Sequence, residues 1–316
     1  MASSIVKDPL PALGPTAGTG QIIDPSPLID NHRLWPRVLG PAISFLILVA
    51  VAYQLRRLDI ASLVRMVPLN PDFWFAFIAY YLAGPFSEWV IFRRLWRLPA
   101  EGMGALMRKL VSNEILLGYL GEVYFYAWAR RNAHVEKAPF GAIKDVAVLS
   151  AMTGNLVTLV MVAATAPVFG SLNVGLNGRA FAASAIFILF SSIAVLLLRK
   201  RLFTLPRREL WFVGATHLVR IVAMIILAAI MWHLLLPTVA ITWWLVLATL
   251  RQLVSRLPFL PNKDVVFAGI AAVLVGSEPP IVEAITLMAT LLLGTHLLVG
   301  TALGITELAR ETQRVS

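Results

Sequence analysis

The sequence predicts an all-α integral membrane protein of about six transmembrane helices plus two re-entrant helical hairpins, arranged as a candidate inverted repeat. Three observations carry this. Mean hydropathy is +0.79, with 59% of residues apolar and 14% charged, too little polar surface to cover a water-soluble fold. Several apolar stretches reach the ~20 residues that cross ~30 Å of hydrocarbon as a helix, and the alternating ~10-residue pattern of an outer-membrane barrel is absent. Two further apolar regions are each interrupted midway by Gly or Pro.

The elements follow in order. Residues 1–34 carry Pro9, Pro11, Pro15, Pro25 and Pro27 without an apolar core of signal-peptide length, so a disordered tail and no cleaved signal are expected. A single membrane domain then runs over 35–306, followed by a short tail at 307–316. Six segments are long enough to cross: 37–55, 72–93, 145–168, 179–198, 210–235 and 280–304. The nine tryptophans fall near segment ends, as an aromatic belt at the lipid headgroups would require.

The formal charge of +10 raises nucleic acid as a partner, but the Arg and Lys residues lie in short clusters between apolar segments, a pattern that sets membrane topology. The clusters around Arg93 and Arg94, Arg130 and Arg131, and Arg199 to Arg201 mark the cytoplasmic side, whereas 169–178 and 236–240 hold no Arg or Lys. Six crossings then put both termini in the cytoplasm of the cell's inner membrane; Arg56, Arg57 and Arg65 fall on the opposite side and run against the rule. No cysteine is present, which excludes disulfides, thiolate metal ligands and cysteine nucleophiles.

The two interrupted regions, 106–130 and 241–276, read as helix-break-helix hairpins. Their features come in the same order. Arg108-Lys-Leu-Val-Ser112 precedes Leu117-Gly-Tyr-Leu-Gly121 and Glu122; Arg251-Gln-Leu-Val-Ser255 precedes Leu257-Pro-Phe-Leu-Pro261 and Asp264. An aromatic sits between the breakers in both, and an acid follows. Candidate repeats at 35–168 and 179–304 each hold three crossings, an odd number, so the halves are inverted. Inverted repeats with broken helices characterise transporters whose site lies near the midplane, where exposed helix ends offer N–H groups to an anion.

The stretch Asn113 to Glu122, followed late in the chain by Leu257 to Pro261, resembles the lysylphosphatidylglycerol synthase transmembrane region, or flippase-like family; the resemblance covers about 37–306. Asn113, Gly118, Gly121, Glu122, Pro258 and Pro261 match its motifs. Leu117 stands where the first motif has Pro, and Asn262-Lys263-Asp264 where the second has glycines. The resemblance implies movement of a lipid or lipid-linked sugar between leaflets. Members with the two-part architecture carry a soluble aminoacyl-transferase domain after the membrane region, and none is expected within this chain.

Candidate transport residues are Asn113, Gly118, Tyr119, Gly121, Glu122, Arg220, Pro258, Pro261, Lys263 and Asp264. Carboxylates inside a membrane are costly unless paired, protonated or functional, so Glu122, Asp264 and Glu283 are candidate proton carriers. Lys263 is the expected partner of Asp264, and Arg93 or Arg94 that of Glu88. Arg220 shares a helical face with His217 and either snorkels to the headgroups or binds a lipid phosphate. Asn155 and His296 are expected to bond between helices. No metal-ligand cluster, nucleotide loop or nucleophile motif occurs, so no cofactor is expected. Three classes stay open: a translocase acting on membrane lipids, a membrane-bound glycosyl or headgroup transferase, and a non-catalytic subunit partnering envelope-lipid biosynthetic enzymes.

Overall fold

A computed structural model describes residues 67–116, 120–132, 139–169, 203–256, 262–274 and 279–315. Among these, every regular element is helical: α1 Pro71–Trp96, α2 Gly102–Ile115, α3 Leu120–Asn132, α4 Pro139–Phe169, α5 Arg207–Leu235, α6 Ile241–Ser255, α7 Lys263–Leu274 and α8 Pro279–Val315. The expected segments 37–55 and 179–198, and the tail 1–34, lie outside the described residues.

Four helices are long and apolar enough to cross a membrane: Pro71–Trp96, Phe140–Pro167, Arg207–Leu235 and Pro280–Thr306. They fall on the expected segments 72–93, 145–168, 210–235 and 280–304. Local chemistry sets the ends of α1. Asn70 accepts the Asp72 N–H at 2.9 Å, Pro71 opens the helix where its missing N–H costs nothing, and Arg97 turns left-handed (φ 54°) to return its N–H to Arg93. The last helix continues through Val315, across the segment expected as a tail.

Large apolar side chains such as Phe75, Leu156, Val160, Trp211, Val219 and Leu298 are exposed along these helices, while Lys109, Asp145, His217 and His296 are buried. That is the reverse of a water-soluble protein and fits a membrane-embedded one, whose outer surface faces hydrocarbon. Not all tryptophans form a belt. Trp232 and Trp244 are buried and stack on each other at 5.7 Å, with Phe267 beside them, because the ends of α5 and α6 converge in the core.

The long helices form the scaffold: α1 packs along α5, α4 against α5, and α8 against α2 and α7. The four short helices, of 12 to 15 residues, cannot cross alone and pair as α2 with α3 and α6 with α7. Each pair encloses one of the two expected breaks. Asp145, fully buried on α4, accepts the Thr204 N–H and hydroxyl and the Leu205 N–H at 2.6 to 2.9 Å, which fixes the start of α5.

Candidate functional site

The interior polar groups form two adjoining clusters, both involving α2. On one side Lys109, 6% exposed at its side chain, donates to both carboxylate oxygens of Glu88 on α1 at 2.8 Å and lies 3.4 Å from Glu122 on α3. One ammonium thus joins three helices. Glu88 therefore faces inward to Lys109 rather than along α1 to Arg93 or Arg94. Arg93 lies over the Trp89 ring, and Arg94 pairs with Glu209 at the start of α5.

Asn113 completes this cluster. Its Oδ1 accepts the Gly121 N–H at 2.7 Å and its Nδ2 donates to Glu122 at 3.0 Å, so it caps the start of α3 and orients the acid. Gly121 is required by space, since a Cβ there would overlap the Lys109 carbonyl and reach 2.8 Å from Asn113 Oδ1. On α5, Arg220 donates to Ser150 of α4 at 2.9 Å. The buried His217 ring approaches the Val146 carbonyl at 3.2 Å. Arg220 is therefore engaged between helices and partly buried rather than snorkelling outward, and its Nε is buried without a hydrogen-bond partner.

The second cluster is built on α6 and α7. Arg251 grips Asp264 through Nε and Nη2 at 2.8 and 2.7 Å and lies over the Tyr80 ring of α1. Burial costs this guanidinium, yet Asp264 outweighs that cost and its pKa is raised. Asp264 is therefore paired with Arg251 and not with its neighbour Lys263. The ammonium of Lys263 turns back to the Ser255 carbonyl at 3.2 Å, since consecutive residues in the first turn of a helix diverge.

Glu114 lies where the clusters meet. Its backbone carbonyl accepts the Asn262 N–H at 2.7 Å, and its carboxylate faces the Lys263 backbone N–H. Asn262, left-handed at φ 49°, presents this bond at the start of α7. Glu114 is on α2, outside the four spanning helices. Burial first, and then the negative charge of Asp264, raise its pKa to about 7. A small cavity beside it is lined by Glu114, Asn262, Asp264 and His296, and His296 approaches the Tyr81 hydroxyl at 3.1 Å.

Of the ten residues expected from sequence, the structure brings Asn113, Gly121 and Glu122 into the first cluster and Lys263 and Asp264 into the second. Arg220 lies beside the first. Gly118, Tyr119, Pro258 and Pro261 lie outside the described residues. Lys109, Glu114, Arg251, Tyr80 and Tyr81 were not legible as site residues. A signal for two of them was present: Lys109 precedes Glu122, and Arg251 precedes Asp264, by the same interval of 13 residues. Among the described residues no group of His, Asp and Glu is placed to hold a metal. The chain matches no protein-family model, no curated protein and no solved structure.

Proposed function

We propose that the protein is a flippase-like translocase that moves an anionic or polyprenyl lipid between leaflets through a midplane cavity opened between the two broken-helix pairs. The observation that carries this reading is the junction itself. Two pairs of helices, each too short to cross, abut through the Asn262 to Glu114 hydrogen bond, with an interior ion cluster on either side. Buried ion pairs contribute little net stability, because desolvation offsets their attraction, so charges kept between membrane helices point to a passage for a polar group. Lys109, Arg220, Arg251 and Lys263 supply the positive charge that a phosphate-bearing headgroup requires.

The matched interval of 13 residues from cation to acid supports reading the pairs as re-entrant hairpins in inverted halves, within six crossings and with both termini in the cytoplasm. The same motifs support membership of the flippase-like family. Lipids are then the partners, and no cofactor takes part.

The test uses the purified full-length chain in phosphatidylcholine vesicles carrying a fluorescent phosphatidylglycerol, with an impermeant reductant that bleaches the outer leaflet. Protein-containing vesicles should bleach beyond the outer-leaflet fraction, and Glu122→Gln should return them to the empty-vesicle trace while keeping wild-type expression and gel-filtration behaviour. The reading falls if wild-type protein moves neither this probe nor a fluorescent polyprenyl phosphate. Full transport by Glu122→Gln removes the role given to Glu122.

A further inference from the structure

The acids of the interior differ in what holds them. Glu88 and Glu122 face Lys109, and Asp264 is gripped by Arg251. Glu283, a candidate from sequence, is exposed on α8. Among the described residues Glu114 forms no ion pair, and what its carboxylate faces is the Lys263 backbone N–H. The same residue meets the start of α7 twice, its carbonyl accepting the Asn262 N–H and its carboxylate facing the Lys263 N–H.

The surroundings suit an acid that changes its protonation state. The groups facing it are Tyr80 and Tyr81 from α1, Arg251 from α6, Lys263 and Asp264 from α7, and His296 from α8. Glu122, the acid of α3, is held by Lys109 and Asn113 instead. Lys263 and Arg251 favour the carboxylate; Asp264 and the loss of water favour the acid. Asn262, which lines the same cavity, has a side-chain oxygen that is buried with no hydrogen-bond partner. An orphaned acceptor of this kind costs roughly 1–3 kcal/mol, and a protonated Glu114 is the donor within the cavity that would satisfy it.

We propose that Glu114 is a proton-binding site at the junction of the two helix pairs, in the cavity it lines with Asp264 and His296, and that its occupancy sets which bonds join the pairs. Ionised, Glu114 attracts the Lys263 N–H, an attraction reinforced by the positive end of α7. Protonated, it loses that attraction, and Lys263 loses its main carboxylate neighbour. The junction then exchanges a charged contact for the bond to Asn262, and Lys263 is left to attract an anionic headgroup. Coupling of the proton to lipid movement rests on the translocase reading; the proton site does not.

Difference infrared spectroscopy of the purified full-length protein, titrated with acid, separates the two. A protonated-carboxyl band should appear with its midpoint near 7, vanish in Glu114→Gln, return shifted in Glu114→Asp, and persist in Glu122→Gln. Absence of the band, or its survival in Glu114→Gln, overturns the proposal. In the vesicle assay, wild-type exchange should change roughly tenfold between about pH 6 and about pH 8, following the protonated fraction of a single group, with Glu114→Gln flat. Exchange that is active but indifferent to pH overturns the coupling. A titrating band without lipid exchange supports the proton site and removes the translocase.

Discussion

Gly121→Ala gives the sharpest test of how the first helix pair is assembled. The start of α3 approaches α2 so closely that an added Cβ would overlap the Lys109 carbonyl and lie 2.8 Å from Asn113 Oδ1. Ordinary contact begins near 3.4 Å, so α3 must retreat by about 0.6 Å or more. The Gly121 N–H bond to Asn113, now 2.7 Å, would stretch beyond useful length, and Glu122 would draw away from both Asn113 and Lys109. Overpacking of this size costs about 1–3 kcal/mol, and the lost hydrogen bond adds roughly 1 kcal/mol. The melting temperature in detergent should fall by several degrees. Gly214→Ala, on α5 where a Cβ meets nothing within 4 Å, should be neutral or slightly stabilising and serves as the control. A Gly121→Ala protein that melts with the wild type would refute this packing of α2 on α3.

Two further substitutions probe the ties between helices. Lys109→Met leaves Glu88 and Glu122 facing each other without their shared cation and should cost about 3–5 kcal/mol, read as a fall in melting temperature that Glu88→Gln in the same chain partly restores. Asp145→Ala strands the Thr204 and Leu205 N–H groups and should destabilise by roughly 1–3 kcal/mol. Protease should then cut around 203–206 faster than in the wild type.

The long helices were legible because about 20 apolar residues admit few alternatives in lipid, and the breaks because Gly and Pro act locally. What decides the partner of a charge is tertiary. Lys109 is the second residue of an Arg-Lys pair and looks like a topology signal, yet the helix turns it inward while Arg108 reaches Tyr124 and the Leu303 carbonyl. The identity between 108–112 and 251–255 aligns Arg108 with Arg251, whereas the interval to the acid aligns Lys109 with it. Glu114 lies outside the recurring motif and has no Gly beside it, so nothing local marks it. Its importance comes from Asn262, 148 residues away in the chain. Lys263 and Asp264 looked like a pair through adjacency, which in a helix separates side chains by about 100°.

The charges explain why this interior tolerates so many of them. Lys109 carries one positive charge against the two negative ones of Glu88 and Glu122, and Arg220, which feels Glu88 electrostatically, offsets the excess. Such a set is costly to break singly and cheap to replace together, because only a partial removal leaves an unpaired ion in a low dielectric. An assembly serving stability alone would gain from becoming apolar throughout. The second set, Arg251 with Asp264 on the broken α6 and α7, obeys the same arithmetic. The two sets meet at the Glu114 backbone, whose carbonyl accepts the Asn262 N–H at 2.7 Å.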